Sequence, residues 1–261
     1  MLNTRNYITL DGQDLREFGL YISGRGTFDA PPRELNMLDV PGRNGSLIST
    51  VTRLQNTSLT YPAFICRNFE QNAAKLRAFL LSHPGYMRLV DTYHPDEYRQ
   101  AAFRGPLNFT VNAHNNAAQF DLTFEVKPQR WLMSGETTLT WTQGASGSSL
   151  TLTNPTRFPA LPLMRVYGYG QLMFTPSRRL FSRGDEILIY ESDVEYIDID
   201  FATGEAYYGD ENKNQYVAVV GGLDFPELNG SDYRDGVQDI RPYSSSTNIT
   251  RFDITPRWYT V

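Results

Sequence analysis

Only one stretch of this 261-residue chain repeats its apolar side chains at the spacing of a helix. Across residues 68–82, Phe69, Ala73, Leu76, Phe79 and Leu80 recur at intervals of three and four, so one stripe faces inward while Glu70, Gln71, Lys75 and Arg77 face water. Asn68 is placed to cap the start, Glu70 suits the positive end of the helix, and His83-Pro84-Gly85 stops it. Elsewhere apolar residues come in short runs broken by Gly, Pro and Asn, which builds strands and not a helical bundle. With 40% hydrophobic residues, 16 Tyr and 15 Phe, the chain can fill sizeable β cores. Its length suits one large domain or two of about 130 residues, and two are expected.

The opening YITLDGQDLREFGLYISG predicts a strand, a hairpin turn at Asp11-Gly12 and a second strand over 20–23. Next, GRGTFDAPPRELNMLDVPGRNGSLI mixes Gly24, Gly26, Pro31, Pro32, Pro41, Gly42 and Gly45 with apolar Phe28, Leu35, Met37, Leu38 and Val40. So punctuated a segment is no buried central strand, yet its apolar side chains need cover. A projecting arm or hairpin packed on a neighbouring subunit supplies that cover. A long loop folded back on its own domain is the other reading. LISTVTRLQNTSLTYPAFIC then reads as one or two strands with a break near Asn56, and strands follow the helix at 86–91, 98–103 and 120–126. The first domain should end near Trp131, with the Ser/Thr/Gly-rich SGETTLTWTQGASGSSLTLTNP both opening a new strand series and holding the best linker candidate.

The second half reads as short strands at 150–153, 163–169, 186–190, 196–200, 206–208 and 216–220, with a turn at Thr203-Gly204, and this spacing suggests a sandwich. Residues 223–247 are polar and turn-rich, which predicts a long surface loop. The final NITRFDITPRWYTV regains alternation in Ile249, Phe252 and Ile254, and Pro256 implies a bend before Arg257, Trp258 and Tyr259 dock back onto the chain.

No motif carries chemistry. Pro95 keeps His94 out of a helix, so His94, Asp96 and Glu97 read as a turn with solvated acids and not as a metal site. The three histidines have no nucleophile elbow near them. Asp193, Glu195, Asp198 and Asp200 are read as one wet strand face and not as a glycosidase pair. GYGQLMF and GRGTF are turns without the lysine of a phosphate loop, and neither DENKNQ nor SDYRDG has calcium-loop spacing. The expectation is a protein that is no enzyme and needs no cofactor. Two Arg-Trp steps, Arg130-Trp131 and Arg257-Trp258, set a planar cation beside a large ring, as at interfaces, or plug the edge of a core.

A net charge of −5 and a pI near 5.3 argue against a specific nucleic-acid binder, although an acidic lumen through which DNA passes is compatible. Cys66 has no internal disulfide partner, so a reducing compartment such as the cytoplasm is expected. The start MLNTRNYITLDG lacks the pattern of a signal peptide, and no run reaches the roughly 20 apolar residues of a membrane span.

Several of these segments together resemble the distal tail (Dit) proteins of long-tailed bacteriophages. In the first half the resemblance rests on Pro41-Gly42-Arg43-x-Gly45, on His83-Pro84-Gly85, on Asp91-x-Tyr93-x-Pro95-Asp96-x-Tyr98-Arg99 and on Lys127-Pro128-Gln129-Arg130-Trp131. In the second half it rests on YIDIDFATGEAYYG, Phe225-Pro226-x-Leu228 and Ile254-Thr255-Pro256-Arg257-Trp258. It implies a mainly β chain: a ring-forming, β-sandwich-like domain over 1–133 with one helix and a projecting arm, then a galectin-like β-sandwich over 134–261. It also implies a homohexameric hub joining the tail tube to the tail-tip or baseplate proteins of the virion, assembled in the host cytoplasm, with DNA passing through and no membrane bound. The subunit interface would use Phe28, Leu35, Met37, Val40, Arg43, Arg130 and Trp131. Residues 229–246 look longer than the family's short turn, which suggests an inserted binding loop or altered partner contact. The alternative function is a carbohydrate-binding module or receptor-binding protein of the tail tip.

Overall fold

The structure, a computed structural model, describes residues 6–24, 26, 28–112, 114, 116–144, 146–176, 185–220, 225–243 and 247–261. Contacts divide the chain into two compact units, Met1–Arg130 with Val261, and Trp131–Thr260.

In the first unit β1 (Ile8–Leu10) and β2 (Gln13–Asp14) turn on Asp11 and Gly12, whose φ of 47° and 82° suit the left-handed conformation of a two-residue hairpin. A short 3-10 turn, Leu15–Phe18, leads into β3 (Leu20–Ile22). β4 (Arg33–Asp39) and β5 (Ser46–Leu54) pair only with each other. Then come β6 (Thr57–Ile65), the helix α1 (Phe69–Ser82), β7 (Met87–Asp91), β8 (Glu97–Phe103), β9 (Thr110–Asn112) and β10 (Ala117–Leu132). The main sheet runs β2-β1-β7-β8-β10-β6-β3, with β9 also on β10. Ala73, Leu76 and Leu80 of α1 pack into the core that Ile8, Leu20, Leu59, Ile65, Leu122 and Phe124 form. The helix starts and stops where its periodicity predicts, but Asn68 does not cap it. Its backbone is left-handed (φ 45°), not the extended form a capping side chain needs, and the Phe69 N–H donates instead to Asn116 Oδ1 at 3.2 Å.

The second unit is a sandwich. Its strands are β11 (Leu139–Thr142), β12 (Leu150–Thr153), β13 (Leu163–Tyr167), β14 (Gly170–Pro176), β15 (Asp185–Ile189) and β16 (Ile197–Asp200). They continue with β17 (Glu205–Tyr208), β18 (Glu211–Asn212), β19 (Val217–Val220), β20 (Val237–Tyr243), β21 (Arg251–Thr255) and β22 (Tyr259–Thr260). One sheet runs β11-β21-β13-β16-β17-β18 and the other β12-β20-β14-β15-β19. Met164, Val166, Ile199 and Phe252 from the first meet Leu172, Phe174, Ile187 and Ile240 from the second. The Ser/Thr/Gly-rich stretch offered as a linker lies within this unit, where it supplies β11 to one sheet and β12 to the other.

Two elements differ from expectation. GYGQLMF, read as a turn, leads into β14, whose Leu172, Met173 and Phe174 are all buried. Residues 223–247, read as a surface loop, hold β20, an inner strand between β12 and β14. Residues 221–224 and 244–246 lie outside the described residues. The segment before β20 is fastened by a buried side chain: Gln238 donates to Glu227 O and accepts from the Asn229 N–H, both at 3.2 Å.

Candidate assembly interface

The β4–β5 ribbon owes its shape to local rules. Its arms alternate, its tip is the Pro-Gly-Arg-Asn-Gly turn, and the Arg43 N–H closes onto Val40 O at 3.1 Å. Arg53 pairs with Glu34 across the strands at 3.1 Å, and the Ser46 hydroxyl donates to Asp39 at 2.5 Å. Met37 sits opposite Ile48 and Leu38 opposite Leu47, so adjacent cross-strand pairs carry apolar side chains to opposite faces of the ribbon. Met37, Leu38 and Ile48 are 60%, 56% and 55% exposed. A two-stranded ribbon that is apolar on both faces cannot cover either by itself.

Of the seven residues expected at an interface, Leu35, Met37, Val40 and Arg43 are brought together on this ribbon, Val40 half-buried and the others exposed. Leu47 and Ile48 join them. The adjacent apolar pair soon after Gly45 was the signal that could have named both. Phe28 lies at the base of the arm, 79% exposed, its ring 5.2 Å from that of His94 and edge-on to it. Arg25 and Thr27 of the same segment lie outside the described residues.

Arg130 and Trp131 are placed elsewhere, and the Arg-Trp steps act differently from a stacked pair. Neighbours on a strand point to opposite faces. Arg130 reaches Glu97 at 3.2 Å, whereas the Trp131 ring lies 5.3 Å from that of Tyr259. Arg257, off any strand and left-handed (φ 58°), forms a bidentate pair with Asp200 at 2.7 and 3.0 Å, while Trp258 plugs the core.

The base of the arm rests on a buried polar cluster in the first unit. Asp91 Oδ1 accepts the backbone N–H groups of Tyr93 and His94, both at 2.9 Å, and Oδ2 accepts the Tyr61 hydroxyl. Asp91 is buried, and His94 Nδ1 lies 3.3 Å from it, whereas Asp96 of the same turn is exposed. Burial, with the Asp91 charge behind it, holds the Tyr61 hydroxyl well above the ordinary tyrosine range. Burial and the nearby Arg130 charge lower the pKa of Arg99. Among the described residues no group of three or more His, Cys, Asp or Glu is placed to hold a metal ion.

Of the four acids read as one wet strand face, Asp193 and Glu195 are exposed but precede β16, whereas Asp198 and Asp200 lie on the strand and are paired. Asp198 is 7% exposed and takes both Arg165 Nε and Nη2, at 2.7 and 2.8 Å. At Asp200 burial opposes the charge, but the Arg257 hydrogen bonds and the Ala202 N–H outweigh it and hold the carboxyl below its ordinary range.

No family model and no curated protein sequence matches the chain. A solved structure does. The Dit protein (gp 19.1) of phage SPP1, described as a paradigm of the hub adsorption apparatus in phages infecting Gram-positive bacteria, superposes with a TM-score of 0.67 at 12% identity, over 98% of this chain and 99% of that one. The chain has the fold of a phage distal tail protein. The chain is mainly β with one α-helix among the described residues, in agreement with the periodicity of the sequence. Two structures of the activated phage p2 baseplate, one with calcium and one with strontium, match at 12% identity with TM-scores of 0.46 and 0.47, over 96% of this chain and 97% of those chains.

Proposed function

We propose that this chain is a distal tail hub of a long-tailed phage, a homohexameric ring that connects the tail tube to the tail-tip or baseplate apparatus. The observation that carries the reading is the β4–β5 ribbon, apolar on both faces and exposed in the single chain. A second copy supplies the cover a lone ribbon lacks, and a ring satisfies every such contact by closure. Residues 1–133 form the ring and residues 134–261 a galectin-like sandwich. The interface is built on Phe28, Leu35, Met37, Val40 and Arg43, while Arg130 and Trp131, expected with them, lie away from the ribbon.

The ring acts through geometry and makes or breaks no bond. DNA crosses its channel without sequence-specific contact, and the acidic charge of −5 fits passage better than retention. The hub works in the virion tail tip after assembly in the host cytoplasm. Among the described residues no helix is long and apolar enough to cross a membrane.

Light scattering on purified protein, combined with negative-stain imaging, tests this. A mass of six chains with six-fold rings supports it, and monomers alone at tens of micromolar overturn it.

A further inference from the structure

The tripeptide Asn-Gly-Ser occurs twice in the chain, at 44–46 and at 229–231, and the fold treats the two copies in opposite ways. Asn44 and Gly45 lie in the tip turn of the β4–β5 ribbon, both exposed. Gly45 is left-handed (φ 78°), and a Cβ built on it would meet nothing within 4 Å. Among the described residues no hydrogen bond holds the Asn44 amide or the Gly45 N–H. Asn229 and Gly230 are fastened instead. The Asn229 N–H donates to Gln238 Oε1 at 3.2 Å, Gly230 O accepts the Tyr233 N–H at 2.9 Å, and the Ser231 N–H donates to Thr156 O at 2.6 Å. Gly230 is buried, and a Cβ there would stand 2.1 Å from Arg157 O and 2.5 Å from the carbon of that carbonyl. Neither residue can turn without prising this backbone apart.

An asparagine that precedes glycine can react with its own main chain. The glycine nitrogen gives up its proton to solvent and attacks the asparagine Cγ. A new C–N bond forms, the bond from Cγ to the side-chain nitrogen breaks, and ammonia leaves a cyclic succinimide behind. Water then adds to one of the two imide carbonyls and the C–N bond there breaks. Opening at one carbonyl gives aspartate, and opening at the other gives isoaspartate, whose main chain runs through Cγ. Glycine favours the closure because no side chain blocks the approach and its backbone bends freely. What the fold must supply is a main chain free to swing. An exposed, unbonded segment opens at almost no cost, whereas a packed one opens only together with its surroundings.

We propose that Asn44–Gly45 is a self-modification site that converts to isoaspartate and aspartate in the free chain, while the fold protects Asn229–Gly230. The product sets a carboxylate beside Arg43, the one charged residue of 40–46. Isoaspartate also adds a methylene to the main chain of the turn that the Arg43 N–H closes onto Val40 O. The arm therefore ages at its tip, in both charge and shape. The reaction itself does not rest on the hub reading. Its confinement to chains outside a ring does: a neighbour that covers the arm holds the tip still, so the modification accumulates in unassembled chains.

The test is incubation of the full chain in mildly alkaline buffer, followed by digestion with endoproteinase Glu-C and mass spectrometry, which reads residues 35–70 and 228–261 as separate peptides. Fragmentation assigns the acid to a residue, and labelling by isoaspartyl methyltransferase tells isoaspartate from aspartate. In the folded chain Asn44 should convert at least about tenfold faster than Asn229, since the fastened site reacts only through opening. In urea the two sites should convert at similar rates, which assigns the difference to the fold. Asn44→Gln should stop the gain at that position, because the longer side chain closes its ring far more slowly. An unchanged Asn44 overturns the proposal, as does equal conversion of both sites in the folded chain or a difference that persists in urea. Where rings form, isoaspartate should collect in the free fraction, and equal amounts in ring and free fractions overturn the confinement alone. A protein that is only monomeric removes the hub reading and leaves the comparison of Asn44 with Asn229 to decide this one.

Discussion

The Tyr61 hydroxyl donates a 2.5 Å hydrogen bond to Asp91 inside the first unit, tying the middle of β6 to the end of β7. Removing one donor from a buried carboxylate costs about 1–3 kcal/mol. Tyr61→Phe should therefore unfold several degrees below the parent at pH 7 while keeping its far-UV spectrum. An unchanged midpoint would show that Asp91 does not depend on this donor.

The same pair sets a limit in alkali. Burial and the Asp91 charge oppose ionisation of Tyr61 in the folded chain, whereas in the unfolded chain it ionises near the ordinary value of 10.0. A proton held more tightly by the native state contributes stability that is complete below the unfolded value and is lost as pH rises above it. Urea midpoints should thus fall more steeply above pH ~10 in the parent than in Tyr61→Phe. Parallel curves for the two proteins would refute the assignment.

At Asp200 the sign is opposite. Its folded carboxyl is held below the ordinary value of 3.8, so its contribution is present above that pH and disappears as pH falls through the lowered folded value. Asp200→Asn should be less stable than the parent at neutral pH, and the gap should close in acid below pH 3.8. Water around a partly buried carboxylate screens the pair and keeps the difference to about 1 kcal/mol. Denaturant midpoints at pH 7 and in strong acid measure it.

How far such features could be read from sequence depends on whether their signal is local. The helix was legible because Ala73, Leu76 and Leu80 lie on one stripe and nothing else competes, and the first hairpin because Asp-Gly adopts left-handed φ at little cost. β20 was hidden by its own inward positions, which are Gln238, Ile240 and Pro242: a buried glutamine erases the alternation that marks a strand. β14 was hidden because Leu172, Met173 and Phe174 are all buried, giving a continuous apolar run after two glycines instead of a period of two. The ribbon at residues 33–54 was legible as an exposed apolar arm. The polar row across the second unit's six-stranded sheet was not, since Arg165, Asp198, Tyr207 and Asp253 come from four strands and meet only through register.

The arm can be tested apart from the fold. Met37 and Ile48 face each other on one side of the ribbon and are exposed in the single chain, so aspartate at both should leave folding stability within about 0.5 kcal/mol. An interface that buries them cannot tolerate two charges without desolvating them. Met37→Asp with Ile48→Asp should convert an assembly to monomers at the same concentration in light scattering. Leu38→Asp with Leu47→Asp asks the same of the other face, and an assembly indifferent to both pairs would exclude the ribbon from the contact.

The closing segment returns to the sandwich through a contact that admits no side chain. Gly135 is buried against the backbone of Trp258: a Cβ there would stand 2.3 Å from the Trp258 nitrogen and 3.1 Å from its Cα. The approach is held from both sides, by the Arg257 N–H on Gly135 O at 2.8 Å and by the Leu132 N–H on Trp258 O at 2.9 Å. Because the obstructing atoms are backbone and not a flexible side chain, Gly135→Ala can be accommodated only by moving residues 257–258 outward. That displaces Trp258 from the core it plugs, at a cost of about 1–3 kcal/mol for overpacking. Thermal unfolding should register the loss, and tryptophan emission should shift to the red as water reaches the indole. A Gly135→Ala protein with the parent's midpoint and emission would mean that the return segment is not fixed at this point.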